Sequence, residues 1–153
     1  MSLYEVLLFF HILAAAIWVG GSFALQVRAE RAVRAWDHVA IQSVNADAEF
    51  LGIRVFFPAS MVVLAAGIWL VIETSFGWTE PFVVVGLGIF VLSAITGMAF
   101  FSPETTKLKE LIPAQGLDAP EVKARIKRIT MMSRIDVTLL VIAIFFMATK
   151  PGA

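Results

Sequence analysis

One imidazole, His11, stands inside FFHILAAAIWVGG, residues 9–21, a run otherwise suited to hydrocarbon. A polar ring there must find a partner, because lipid offers none. Ionisable residues within membrane spans usually face the bundle interior and mark function. Two chemistries suit it. A neutral imidazole can donate to a carbonyl or hydroxyl of a neighbouring helix, with Ser60 and Ser93 as hydroxyl acceptors. Alternatively it can ligate a metal, since neutral imidazole is the commonest metal ligand and often holds haem iron. The neighbours suit a flat macrocycle: Ala14 and Ala15 are small, Trp18 stands one to two turns along, and Gly21 with Ser22 keeps the helix slim. Gly86, Ser93 and Gly97 share a face of a later segment, where small residues serve close helix packing or leave room for a porphyrin.

Depth selects a second ligand. At 1.5 Å of rise per residue, His11 lies roughly 12 Å from the outer end of its run. Met61 is then about 4.5 Å from that level and Met98 about 13 Å away. A His11–Met61 pair is the feasible metal set, beside five-coordinate iron held by His11 alone. His38, next to Trp36 and Asp37, reads as a solvated helix residue. A second group of polar residues gathers at the opposite level. Arg28 closes the first span, Glu49 and Arg54 precede the second, and Arg134 and Asp136 open the fourth. Asp136 is expected to pair with Arg54 or Arg134, as a topology signal, an anion or propionate clamp, or a proton entry point. With no cysteine, the chain has no disulfide and no thiolate chemistry. It has no HExxH and no nucleotide loop, and its six methionines are too scattered for a dedicated copper path.

These residues need rigid elements inside a bilayer. Of the 153 residues, 59% are hydrophobic and 16% charged, well below the ~25% charged of soluble domains. A formal net charge of zero disfavours a nucleic-acid partner. Spanning takes about 20 apolar residues. Four segments approach that: 3–27, 55–72, 81–102 and 135–149. The first is too long for a secretory leader's apolar region and is followed by Arg28 rather than a cleavage site. Residues 28–54 and 103–134 carry eleven of the twelve Lys and Arg, while the turn ETSFGWTE (73–80) carries none. The positive-inside rule puts both long connections in the cytoplasm and both termini outside. The expected fold is one all-α domain, an integral membrane up-down four-helix bundle over 1–153. Residues 28–42 continue the first helical period beyond the bilayer. Asp118 is a candidate N-cap, with Pro120 and Glu121 completing the signal, and IPAQGLDAP (112–120) reads as the clear loop. The likeness of LAAAIW (13–18) to LAAGIW (64–69) reflects the small alphabet of membrane helices, and Val62 stands opposite His11 in it.

FFHILAAAIWVGG resembles the first-helix signature of the copper-resistance-D-like superfamily. That group holds copper-resistance D proteins, the HemJ-type protoporphyrinogen oxidase and uncharacterised bacterial membrane families. Glu49, Arg54, Pro58 and Gly67 in EFLGIRVFFPASMVVLAAGIW resemble the second-helix pattern of the HemJ type, and SRIDVTLLVIAIFFMATKPG, with Arg134, Asp136 and Lys150-Pro151, resembles its last helix. The resemblance implies a four-helix core binding haem b through His11, and oxidation of a porphyrinogen. The HemJ type's third-helix lysine and histidine have no match in FVVVGLG and AITGMAFF, and Asp136 stands where that family has Asn-Glu. The resulting expectation is a haem-b protein of the bacterial cytoplasmic membrane for electron transfer or porphyrin(ogen) oxidation. Its cofactor-binding residues are His11, Trp18, Arg54, Arg134 and Asp136, and its metal ligands His11 and Met61. The alternatives are a non-enzymatic subunit of a larger membrane complex, a homo-oligomer, or a copper-handling protein. Lipid is the expected surrounding partner.

Overall fold

The computed structural model describes residues 2–151. Four helices are long and apolar enough to cross a membrane: α1 Leu3–Ala35, α2 His38–Glu73, α3 Pro81–Gln115 and α4 Pro120–Thr149. No strand occurs among the described residues. Each helix contains one expected apolar span; α1 and α3 run on past it into polar sequence, while α2 and α4 begin in polar sequence before it. The chain is an all-α four-helix membrane bundle.

Local chemistry sets the ends. Ser2 caps α1 by accepting from Glu5 N, and the Glu5 carboxylate accepts from Ser2 N, a reciprocal box. The first helix does not continue through residues 28–42. It stops at Ala35, because Trp36 turns left-handed at φ 47° and Asp37 caps the next helix, accepting from Val39 N and Ala40 N at 3.0 Å. Asp118 does not cap α4; Ala119 takes that place with Pro120 following it. The Asp118 carboxylate instead accepts from Trp36 Nε1 at 2.9 Å and lies 3.3 Å from Lys123 Nζ and 3.6 Å from His38 Nε2. The Trp36 bond first, and Lys123 next, hold this carboxyl below its usual range. The loop is also shorter than expected. Helix α3 persists through Pro113 to Gln115, and the chain turns at Gly116, whose φ of 82° suits glycine.

Two five-residue π-helical segments interrupt the long helices, Gly52–Phe56 in α2 and Gly97–Phe101 in α3. Phe57 N donates to Gly52 O and Ser102 N to Gly97 O, each one residue further back than an α-helix allows. A proline follows at once in both cases, Pro58 and Pro103. Proline brings no N–H and crowds the carbonyl four residues earlier, so the turn before it widens. The two sequences, GIRVFFP (52–58) and GMAFFSP (97–103), share the spacing Gly-x3-Phe-x-Pro.

Helix α1 packs against α2 and α4, and α4 packs against α3. The membrane-spanning parts of α2 and α3 scarcely meet; these helices join through their polar extensions. The tightest core sits at that basic end, where Ala32, Ile41, Leu108, Leu117, Val122 and Ile126 form one cluster and Val122 is fully buried. Arg125 fastens the cluster's flank, donating to both Glu104 oxygens at 2.9 and 2.8 Å and lying 3.2 Å from Glu121. Within the membrane the core is thinner: Val19, Ile89 and Leu140, with Trp18 against it. The expected small-residue packing face is real at Gly86, where an added Cβ would run into Met147 Cε of α4.

Candidate functional site

His11 sits half-buried at the α1–α2 interface. Its Nδ1 lies 2.9 Å from Val63 O. A carbonyl only accepts, so Nδ1 carries the proton and Nε2 keeps its lone pair. Gly67 makes the contact possible: a Cβ there would stand 3.0 Å from His11 Cε1. The acceptor is thus a backbone oxygen. Ser60 donates to Phe57 O, and Ser93 faces Asp136.

A cavity of about 520 Å³ lies closer to the basic end, between the two π segments. Gly52 and Phe56 wall it from α2, Gly97 and Phe101 from α3. Phe56 reaches across to α1, where Gly21 leaves room for it; a Cβ at Gly21 would stand 2.6 Å from Phe56 Cε1. Trp18 lines the cavity and meets Phe90 edge to face, centroids 5.8 Å apart. His11 is one of the stripe of α1 residues that includes Trp18, but seven residues further out, about 10 Å by helical rise. It is not among the residues lining the cavity.

The expected site residues therefore separate into groups. Trp18, Met61 and Asp136 line the cavity, together with Ser60 and Ser93. His11 meets Val63 and Gly67, on the side of α2 that faces α1, while Met61 lies off that side and is partly exposed. Asp136 does not pair with Arg54 or Arg134. Arg134 precedes it by two residues, about 200° around the helix, and donates to Glu30 of α1 at 2.8 Å. Arg54 is exposed and lines a separate groove of about 420 Å³, with Glu49 and Lys109, which pair at 3.2 Å. The anticipated clamp of Arg54, Arg134 and Asp136 is not assembled, because the three side chains leave their helices in different directions.

One residue of the cavity gave no signal in the sequence. Gln26, on α1, is 6% exposed. Its Nε2 donates to Glu30 Oε1 at 2.7 Å and to Thr130 O at 3.3 Å, and its buried Oε1 has no hydrogen-bond donor. A glutamine at the end of an apolar run reads as an interfacial residue, so only packing reveals its burial. The π segments did have a signal, the repeated Gly-x3-Phe-x-Pro spacing.

The donor set fits a haem in one respect. His11 offers one oriented imidazole nitrogen, with the proton on the other nitrogen held by a carbonyl as ligating histidines commonly are. The inner cavity offers neither that nitrogen nor a cation for a propionate. No group of three or more His, Cys, Asp and Glu able to hold a metal ion occurs among the described residues.

No curated protein and no solved structure matches the chain. A family model described as "Predicted integral membrane protein (DUF2269)" matches residues 5–151, nearly the whole chain. The four apolar helices and that match agree: the chain belongs to this family of integral membrane proteins.

Proposed function

We propose that this integral membrane protein, placed in the bacterial cytoplasmic membrane, binds haem b through His11 Nε2 and serves electron transfer or porphyrin(ogen) oxidation. The observation that carries the reading is the bond from His11 Nδ1 to Val63 O, which fixes the ring's tautomer and leaves the Nε2 lone pair free to ligate. The resemblance of the His11, Arg54–Pro58 and Arg134–Asp136 motifs to the copper-resistance-D-like superfamily supports the same residue. Bound haem would supply a one-electron redox centre. The chain's own residues hold the ring: Val63 O accepts the hydrogen bond from Nδ1–H, and Gly67 gives the ring space. Met61 lies off the side of α2 that meets the ring, which favours a single protein ligand over a His11–Met61 pair.

The same bond satisfies the imidazole without any cofactor, and this favours a second reading, a non-enzymatic subunit within a larger membrane assembly. One experiment separates the two. The protein, purified in mild detergent, is titrated with haemin and followed by visible absorption in both redox states. A stoichiometric Soret band lost in His11→Ala, with Met61→Leu unchanged, supports the haem reading. A protein that takes up no haemin, or takes it up equally without His11, ends it.

A further inference from the structure

The cavity between the two π segments has properties that the haem reading does not use. The charged side chains on its wall, Glu49 and Asp136, are both acidic, and no Lys, Arg or His among the described residues lines it. Glu49 is paired with Lys109. Asp136 has no ion-pair partner among the described residues and faces the Ser93 hydroxyl. An unpaired carboxylate at membrane depth is costly and marks a ligand or proton path. The orphaned Gln26 Oε1 is an independent acceptor without a donor, and leaving such a group unsatisfied also carries a cost. Gln26 contacts Thr130, which precedes Asp136 by six residues, about 9 Å along α4. The cavity thus holds one unmet acceptor, Gln26 Oε1, and one carboxyl, Asp136, that meets the Ser93 hydroxyl but no cation, at different depths in a mostly apolar wall.

Its entrance faces lipid. The spanning parts of α2 and α3 leave a fissure. The cavity's lips on the two helices are exposed apolar side chains, including Phe57 at 57% and Met98 at 66%. A ligand can enter sideways from the acyl chains without crossing a polar surface.

We propose that this cavity binds a lipid-soluble amphiphile whose head group donates hydrogen bonds and carries no negative charge, an amine or an alcohol, entering between α2 and α3. The head donates to Asp136, with Gln26 Oε1 a further acceptor toward the basic end, and the apolar wall receives the chain. Fatty acids and other anionic lipids are excluded by Asp136 and by the absence of any Lys, Arg or His from the described lining. This inference does not depend on haem, since His11 lies outside the cavity.

The test uses the whole protein in nanodiscs of zwitterionic lipid, with radiolabelled dodecylamine, dodecanol and dodecanoic acid as probes. Retention above that of empty nanodiscs is measured. The amine, the alcohol or both should saturate near one per chain, and the acid should not. Amine alone assigns the head to charge pairing with Asp136; alcohol alone or both assigns it to hydrogen bonding. Asp136→Asn should weaken the amine by about tenfold, the size of one hydrogen bond to a charged group, and leave the alcohol little changed. Met98→Trp, a substitution at a lipid-exposed lip, should slow entry of every bound probe and tests the route even if the Asp136 variant fails to fold. Retention of the acid equal to that of the amine and alcohol overturns the proposal, as does absence of saturable binding by both.

Discussion

The contact between His11 and Gly67 can be measured as a coupling energy. An ideal Cβ on residue 67 lies 3.0 Å from His11 Cε1 and 3.3 Å from Nδ1. The ring must therefore move in Gly67→Ala, and its 2.9 Å bond to Val63 O lengthens or breaks. Two effects oppose each other. Alanine in a helix interior is favoured over glycine by up to about 1 kcal/mol. Losing an interhelical bond within a membrane costs about 0.6 kcal/mol on average and about 1.7 at most, and overpacking adds to that. In the His11→Ala background only the first effect remains, so the same substitution there should stabilise. The expected coupling between the two positions is about 1–2 kcal/mol. Unfolding of the four proteins of the cycle by dodecyl sulfate titration in mixed micelles, followed by helix circular dichroism, supplies the numbers. A coupling below about 0.4 kcal/mol, the usual scatter of independent sites, refutes the claim that Gly67 exists to seat the imidazole.

Three further outcomes follow from the structure. Val122→Ala removes two methyl groups from a fully buried side chain at the basic end and should lower stability by about 2 kcal/mol in the same titration. The Asp118 carboxyl is held below its ordinary value by Trp36 and Lys123, so its contribution is present above that value and is lost as pH falls through the lowered one. Trp36→Phe should therefore flatten the stability-against-pH curve below about pH 4, measured by thermal unfolding, and leave its neutral-pH slope unchanged. Because the chain has no cysteine, single cysteines report orientation cleanly. A membrane-impermeant maleimide added outside intact cells should label Ser75→Cys and not Ala114→Cys; the reverse pattern would invert the orientation drawn from the basic connections.

The four spans were legible because their apolar runs have no other home than lipid, and Pro120 marks the first turn of the last helix as its chemistry suggests. Other features depend on partners distant in sequence. Asp118 carried every local mark of an N-cap, yet Trp36, 82 residues earlier, took its carboxylate. Nothing near His11 could say that its acceptor would be the carbonyl of Val63, because any residue presents one. Asp136 and Arg134 looked like cluster partners by proximity along the chain, but two residues of helix point them apart. The π segments were within reach of the sequence: Pro58 has no N–H for the carbonyl of Arg54, and the matching Gly97 to Pro103 spacing repeats that motif on a second helix.

The location of the tightest packing has a mechanical consequence. The collar of Ala32, Ile41, Leu108, Val122 and Ile126 clasps all four helices at one end, while the opposite halves of α2 and α3 stand apart. Acyl chains are as apolar as the leucines they touch, so widening or narrowing that gap exchanges one oily neighbour for another. The gap is closed at both ends, by this collar and by the turn 73–80 that joins α2 to α3, so what fills it can change without the helices parting.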